Sequence, residues 1–198
     1  SRGLGDVYKR QVVRIGGLIG DLSISSTVEN SWSDVDITAA SAIGVGGFVG
    51  RTLTSAVINY SYALGDIIDA DQSVGGFVGE HRDATIENCF ARGTISSTTA
   101  STGGFVGVSN NAAGVLTSNY SAVTSATMTG AFVGSDIDGV YTNNYWDNTL
   151  AADTDSAGEY EGRATAAMDD SFNFTGWNTT SVWRFPANAY PEIIPVNQ

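Results

Sequence analysis

Few side chains in this sequence belong to the types that usually perform catalysis. Among 198 residues there is one histidine, His81, and one cysteine, Cys89. Sites that need more than one histidine are therefore excluded, which leaves only a triad built on His81 itself. His81 lies in the polar stretch 80–83, directly after a glycine-rich motif, so we expect it in an exposed turn. Cys89 stands where other repeats have serine, which favours a small sheltered side chain over a nucleophile.

Carboxylates are the more numerous candidates for chemistry. Glycosidases need two carboxylates at a fixed separation, so a polysaccharide-active site is one alternative. Close pairs occur at Asp34 and Asp36, Asp66 and Asp69, and Asp83 and Glu87. Their places in the repeat described below do not match, which favours acidic, solvated turns.

One acidic stretch has spacing that suggests a metal. Asp153-x-Asp155-x-x-Gly158 begins like an EF-hand loop, but Ala157 and Ala164 stand where the fifth and twelfth loop positions need oxygen ligands. The EF-hand is therefore excluded. Asp153 and Asp155 stay weak candidates for a looser calcium site, and we expect no other cofactor.

The charge and composition limit the classes of partner. The net charge is −12, which repels nucleic-acid phosphates and anionic lipid, so we expect no nucleic-acid partner. No apolar run approaches the length of a transmembrane helix, so we expect no membrane insertion in this stretch. Gly, Val, Ile, Thr and aromatic residues are common, which is typical of strands.

The strongest signal is a Gly-Gly-x-x-Gly motif that recurs five times at intervals of 27–30 residues. Such a period is typical of solenoids. A nucleotide-binding glycine loop occurs once per site and precedes a helix, so that interpretation is excluded. The repeated glycines are Gly16, Gly17 and Gly20; Gly46, Gly47 and Gly50; Gly75, Gly76 and Gly79; Gly103, Gly104 and Gly107; and Gly130 and Gly134, with Ala131 replacing the second glycine.

An aromatic residue follows each motif after 11–13 residues. These residues are Trp32, Tyr62, Phe90, Tyr120 and Tyr145. The glycine motif itself predicts a short apolar strand. The residues two and four positions before each aromatic share a pattern, which predicts a second strand with one matched face. Stacked coils would place the five aromatics in a column about 4.8 Å apart, and Leu18 and the motif phenylalanines in another. The glycines would allow positive φ and close backbone approach at the bends.

The period also predicts the domain organisation: an all-β solenoid of about five coils over residues 12–147 and an irregular aromatic cap over residues 148–198. Solenoids need an atypical terminal unit to cover their last coil. We assign this covering role to Phe174, Trp177 and Trp183. Residues 1–11 lack the repeat and resemble translated adapter sequence at the ends of metagenomic fragments, so we treat them as non-native.

The motif Gly-Gly-Phe-Val-Gly, followed by Ile-x-Asn-x-aromatic-Ala-x-Gly-x-Ile, resembles the GLUG repeat of bacterial surface proteins. The tail, from Asn-Asn-Tyr-Trp-Asp at 143–147 to Tyr190-Pro191, is similar to segments that often follow such arrays. That family includes adhesin-like proteins and non-catalytic parts of some immunoglobulin A peptidases. The resemblance implies a non-catalytic structural or adhesive region, secreted or on the cell surface, with a protein or glycan as its ligand.

Two other functions stay open at this point. One is a carbohydrate-active β-helix enzyme or its accessory binding region, which would use the carboxylates above. The reserve hypothesis is an ice-binding solenoid, although the threonines are not repeated in register. The threonines in question are Thr98, Thr99, Thr124, Thr127 and Thr129.

Overall fold

A computed structural model of the chain describes residues 13–97, 101–110, 113–136, 139–151 and 160–195. The segment 1–11, which we treat as non-native, lies outside these residues. Apart from strands, the described chain has two short 3-10 helices, Thr165–Ala167 and Ser171–Asn173. Among the described residues, no helix combines the length and apolar character needed to cross a bilayer.

The chain winds through five successive turns, here called coils one to five. Coil one contains β1 (Arg14–Gly16), β2 (Ile19–Leu22), β3 (Thr27–Glu29), β4 (Trp32–Ser33) and β5 (Ile37–Thr38). Coil two contains β6 (Gly44–Gly46), β7 (Val49–Thr52), β8 (Val57–Asn59), β9 (Tyr62–Ala63) and β10 (Ile67–Ile68). Coil three contains β11 (Val74–Gly75), β12 (Val78–His81), β13 (Thr85–Glu87) and β14 (Phe90–Ser96).

The remaining strands complete the array and its tail. Coil four contains β15 (Thr102–Gly103), β16 (Val106–Ser109), β17 (Val115–Thr117) and β18 (Tyr120–Thr124). Coil five contains β19 (Val133–Asp136), β20 (Val140–Thr142) and β21 (Asn144–Asp147). The tail contains β22 (Tyr160–Arg163), β23 (Trp183–Arg184) and β24 (Glu192–Ile193), of which the last two pair antiparallel.

Equivalent strands of successive coils pair in parallel and form four sheets. Sheet A joins β1, β6, β11 and β15; sheet B joins β2, β7, β12, β16 and β19; sheet C joins β3, β8, β13, β17 and β20. Sheet D joins β4, β9, β14, β18, β21 and β22, with β5 and β10 pairing beside the end of β14. Five coils are thus related by four one-strand steps. The predicted all-β solenoid is confirmed.

The glycine motif forms a corner, and the prediction that it is a short strand is wrong. In coil two, strand β6 of sheet A ends at Gly46 and strand β7 of sheet B begins at Val49. Gly47 and Phe48 therefore form the bend between the two sheets. Phe48 and Val49 are both fully buried, although alternation along a strand would put them on opposite faces. The carbonyl of Phe77 in the next coil accepts both of their N–H groups, at 3.0 Å each.

Close backbone approach explains the motif glycines. All of them are described, and none has a positive φ, so that part of our expectation is wrong. A Cβ on Gly47 would lie 2.2 Å from the carbonyl oxygen of Gly76, and one on Gly76 would lie 2.3 Å from that of Gly104. Because real Cβ atoms do not approach carbonyl oxygens so closely, a side chain here would force neighbouring coils apart.

The second predicted strand is broken by a left-handed residue. Residues with φ between 50° and 57° separate sheet C from sheet D in every coil: Asn30, Tyr60, Asn88, Ser118 and Asn143. This bend sends the residues on its two sides to opposite faces. Ile58, Ile86 and Leu116 are fully buried inside the solenoid, whereas the aromatic residues point outward from sheet D.

Two hydrophobic clusters result from this arrangement. The interior cluster is built around a column of stacked rings, with centroids 4.8 Å apart for Phe48–Phe77 and 4.9 Å for Phe105–Phe132. Tyr160 on β22 covers the C-terminal end of this column, with its ring 5.2 Å from that of Phe132. The second cluster lies outside the solenoid, between sheet D and the tail.

We predict that Tyr60→Asn stabilises the protein. Tyr60 has a φ of 50°, which costs most L-residues about 1–2 kcal/mol and which asparagine adopts more readily. The free energy of unfolding should therefore rise by about 1 kcal/mol in denaturant titrations. Tyr62→Asn is the matched control two residues away, and it should destabilise because it removes a stacked ring. A lower unfolding midpoint for Tyr60→Asn would contradict this account of the corner.

Candidate functional surface

The outward aromatic residues form a column on sheet D. Centroid distances are 6.1 Å for Trp32–Tyr62, 4.7 Å for Tyr62–Phe90 and 5.0 Å for Phe90–Tyr120, with interplanar angles of 11°, 3° and 9°. Tyr145 is the strand partner of Tyr120, but its ring meets the tail edge-on. The rings therefore cover one another's faces along the solenoid axis and point their edges away from sheet D.

The three aromatic residues assigned to the cap lie against this column. We expected them to cover the end of coil five, but they run along the side of the array. The Nε1–H of Trp177 donates to the carbonyl of Asn143 in coil five, at 2.8 Å. The Nε1–H of Trp183 donates to Asn88 Oδ1 in coil three, at 3.3 Å. Phe174 packs on Tyr145 at 4.8 Å. The aromatic residues of sheet D point their ring edges outward, and only a segment that packs along the side of the array can bury these edges. This explains the position of the tail.

Arg92 fixes the far part of the tail. Its guanidinium lies 4.6 Å from the centroid of Phe90 and 5.2 Å from that of Tyr190. It donates to the hydroxyl of Tyr120 and to the carbonyl of Pro191, both at 2.8 Å. Burial raises the pKa of Tyr120, so its hydroxyl stays protonated and donates to the same carbonyl at 2.7 Å. Sequence analysis missed Arg92, since a single basic residue in a strand carries no signal.

A small groove opens where the tail ends. It has a volume of about 290 Å³, and its lining includes Tyr62, Leu64, Arg184 and Glu192. The Nε–H of Arg184 donates to Glu192 at 2.8 Å, so this carboxylate is already paired. A sugar ring stacks on an aromatic face, but Trp32 and Phe90 cover both faces of Tyr62. This groove therefore gives no support to a polysaccharide site.

Three of the carboxylates considered for catalysis, Asp36, Asp66 and Asp83, join neighbouring coils. Asp36 Oδ1 accepts the backbone N–H of Asp66 at 2.9 Å, and Asp66 Oδ1 accepts that of Thr94 at 2.7 Å. Asp83 Oδ2 lies 3.5 Å from the hydroxyl of Thr54. These carboxylates act as acceptors for coil-to-coil hydrogen bonds, which is a structural role.

Asp147 is a buried carboxylate at the end of β21. It is 1% exposed and accepts from Thr149 N–H, Thr165 Oγ1–H and Tyr190 Oη–H, at 2.8, 2.6 and 2.7 Å. Burial is the main reason why the pKa of Tyr190 is raised to about 12, and the hydrogen bond from Tyr190 to Asp147 raises it further. A cavity of about 400 Å³ lies beside Thr165, Asp169 and Tyr190. Because two of its three donors, Thr165 and Tyr190, belong to the tail, Asp147 holds the tail to coil five.

The structure contradicts the expectation that His81 is an exposed turn residue. Its ring is completely buried, with Nε2 2.9 Å from the carbonyl of Ala84 and Nδ1 3.3 Å from Ser109 Oγ. Nε2–H therefore donates to Ala84, and Nδ1 accepts from the Ser109 hydroxyl. Burial lowers the pKa of His81 to about 4, although Asp83 and Asp136 oppose this shift. Ser109 is itself fully buried, so the pair is closed to a substrate.

Cys89 is fully buried, as we predicted for a small sheltered residue. Burial raises the pKa of its thiol, which donates to the carbonyl of Glu87 at 3.1 Å. Its backbone N–H donates to Asn119 Oδ1, and the N–H of Asn119 donates to Asn144 Oδ1, at 2.8 and 3.1 Å. Asn119 and Asn144 therefore occupy the same inner column as Ser31, Ser61 and Cys89. Because the residue type changes from serine to cysteine to asparagine, the sequence did not reveal that these five positions are equivalent.

The metal and ice hypotheses gain no support from the geometry. Asp153 and Asp155 lie outside the described residues, and so do Thr98 and Thr99. Within the described ranges, no group of three or more His, Cys, Asp or Glu side chains is placed to hold a metal ion. The hydroxyls of Thr127 and Thr129 donate to backbone carbonyls, so they do not form an array directed at water.

Comparison with known proteins confirms the resemblance to the GLUG repeat. Residues 70–96, which span most of coil three, match the family described as the GLUG motif. Over 77 residues the chain is 34% identical to Halomucin from Haloquadratum walsbyi (strain DSM 16790 / HBSQ001). This alignment covers 37% of the chain and 1% of the halomucin, so the chain spans a very small part of that relative. No solved structure gives a significant match.

We predict that Trp183→Ala strongly destabilises the protein. Trp183 is fully buried between the aromatic column and the tail, so its removal should cost about 3–5 kcal/mol in thermal or chemical unfolding. Phe172→Ala is the matched control, because Phe172 is 93% exposed and should be nearly neutral. Equal unfolding midpoints for the two variants would show that the tail is not packed on sheet D.

We also predict that His81 makes stability depend on pH. Its pKa is about 4 in the folded protein and near 6.5 when unfolded, so the unfolded chain binds the extra proton. This contribution is complete above pH 6.5 and decreases as the pH falls toward 4, by up to roughly 3 kcal/mol. In His81→Thr, which copies Thr52 of the preceding coil, stability should fall less steeply over this range. Parallel pH profiles of unfolding would contradict the burial of a neutral imidazole.

Proposed function

We propose that this chain is a non-catalytic structural region of a secreted or cell-surface protein, in which the stacked coils act as a stiff spacer. The observation that carries the proposal is the continuous parallel pairing through sheets B and C, which links all five coils in one register. The GLUG match supports a surface protein, because the repeat resembles those of bacterial surface proteins. The similarity to halomucin is compatible with this role.

The side chains that could perform catalysis are already buried or hydrogen-bonded within the solenoid, which supports a non-catalytic role. His81 and Cys89 are buried with hydrogen-bond partners, and Asp36 and Asp66 accept backbone N–H groups of the next coil. Catalytic groups must instead reach a substrate and change protonation there. The chemistry of these side chains is used to hold the coils together.

An adhesive role would belong to the connections between strands. The returns from sheet D to sheet A differ in sequence and length between coils, while the sheets keep their register. Variable loops on a rigid scaffold are where binding residues are commonly found. We therefore propose that a protein or glycan partner contacts these returns.

The spacer role is tested by a distance measurement. Thr27 and Val140 are exposed, lie in the same outward column of sheet C and are separated by four coil steps. Spin labels on cysteines at these positions, in a Cys89→Ser background, should give one narrow distance distribution. Its centre should correspond to a backbone separation of roughly 19 Å. A broad distribution would mean that the coils are a flexible linker, which would refute the spacer.

A separate assay tests the absence of catalysis. The protein is incubated with a panel of plant and microbial polysaccharides, and reducing ends are measured over time. We expect no release above that of a heat-denatured sample. Release that is lost in Asp36→Asn or Asp66→Asn would instead support the carbohydrate-active alternative.

A further inference from the structure

We infer that Asn178 is the acceptor for an N-linked oligosaccharide. This inference goes beyond the spacer role, and it needs the proposed secreted or surface location only as the place where the transfer occurs. The acceptor pattern Asn-x-Ser/Thr, with x other than proline, is found four times in the sequence. It begins at Asn59, Asn119, Asn173 and Asn178. Because the pattern is short, the fold decides which of these asparagines a transferase can reach.

Two copies of the pattern are closed within the sheets. Asn119 and Ser121 are 0% and 2% exposed, and Asn119 Nδ2 donates to the carbonyl of Ile86 at 2.9 Å. Asn59 is the last residue of β8. The hydroxyl of its partner Ser61 is fully buried and donates to the Asn59 carbonyl at 2.8 Å. A transferase reads both the asparagine amide and the hydroxyl, so neither copy is available in the folded protein.

The copy at Asn173 is held against the array. Asn173 Nδ2 donates to the carbonyl of Ala167 at 2.9 Å. Phe174, the middle residue of this copy, is 2% exposed and packs on Tyr145 with ring centroids 4.8 Å apart. An acceptor asparagine has to extend from the surface to enter a transferase, and the burial of Phe174 prevents this movement.

The copy at Asn178 lies in a projecting turn whose two ends are fixed. Asn178, Thr179 and Thr180 are all exposed. The buried rings of Trp177 and Trp183 stand on either side of the turn and stack with centroids 4.2 Å apart. The carbonyl of Asn178 accepts the backbone N–H of Trp183 at 3.0 Å. The turn therefore extends from a firm base, which is the surface-loop context in which this pattern serves as an acceptor.

The side chain of Asn178 adopts the geometry of an Asx turn. Its Oδ1 accepts the backbone N–H groups of Thr180 and Ser181, at 3.1 and 3.0 Å. It also accepts the hydroxyl of Thr180 at 2.9 Å. Because two backbone N–H groups donate to this atom, the hydrogen-bond network assigns it as the oxygen and the other atom as the nitrogen. The hydroxyl that the pattern requires is thus already bonded to the amide that would be modified.

Substitution at Nδ2 is compatible with this turn. Nδ2 carries two hydrogens, of which one is donated to Ser181 Oγ at 2.9 Å and the other has no partner among the described residues. In the transfer, Nδ2 bonds to the anomeric carbon of a sugar carried on a lipid diphosphate. The bond from that carbon to the diphosphate breaks, the diphosphate leaves with its electron pair, and one Nδ2 proton passes to a carboxylate of the transferase. Oδ1 takes no part, so its three hydrogen bonds can persist.

The test combines the folded full chain with an oligosaccharyltransferase that requires only Asn-x-Ser/Thr and with a lipid diphosphate-linked oligosaccharide as donor. Intact mass should show one added glycan, which peptide mapping should place on Asn178. Occupancy of the other three asparagines should be lower by about tenfold or more, because those copies become accessible only through local unfolding. If the protein is first cleaved at its arginines, this difference should disappear. Absence of a glycan from Asn178 in the folded protein, or equal occupancy of all four asparagines there, would overturn the inference.

Thr180→Val is the discriminating variant. It removes the hydroxyl and keeps the backbone N–H, so transfer to Asn178 should be lost while the unfolding midpoint stays nearly unchanged. Thr180→Ser returns the hydroxyl and should restore transfer. Thr179→Val is the matched control, because it makes the same change at the neighbouring exposed position and should leave transfer intact. Undiminished transfer in Thr180→Val, or an equal loss in Thr179→Val, would refute the assigned role of this turn.

Discussion

The distance between neighbouring coils is the constraint on which the rest of this structure depends. Parallel strands lie about 4.8 Å apart, and the stacked rings of Phe48 and Phe77 repeat that spacing at 4.8 Å. Each side chain therefore has its own counterparts as its nearest neighbours along the axis. Flat rings stack well on themselves, and glycine alone lets the corners of successive coils approach to the distances seen at Gly47 and Gly76.

The same constraint shapes the buried polar groups, since identical charges in one column would repel. Asp21, Arg51 and Glu80 are successive partners in sheet B and alternate in sign. Glu80 is 4% exposed and is flanked by Arg14 and Arg82, with N–O distances of 3.3 and 3.2 Å. Because Arg14 belongs to coil one and Arg82 to coil three, this buried carboxylate joins two coils, and leaving it without either partner would be strongly destabilising.

The sequence predicted the features that repeat and missed those that do not. The glycine period was sufficient to predict the solenoid, because any stacked coil must return to the same corner. It did not reveal the left-handed bend, since Asn30, Tyr60 and Ser118 share a φ and not a residue type. Likewise His81 follows the motif like a turn residue, but β12 runs as far as His81 and carries it into the interior. The side on which the tail packs depends on the row of outward-pointing ring edges on sheet D. This row forms only when the coils stack, so the sequence does not reveal it.

The tail changes how stability is distributed along the array. In a repeat protein, each coil normally contacts only its neighbours, so stability is a sum of local terms. Here Trp177 contacts coil five while Trp183 and Arg92 join the tail to coil three, which couples coils that are not neighbours in the stack. Coils three to five therefore form a clamped block, and coils one and two depend mainly on stacking against this block. Unfolding should consequently begin at the N-terminal end, where Leu18 and Trp32 are exposed.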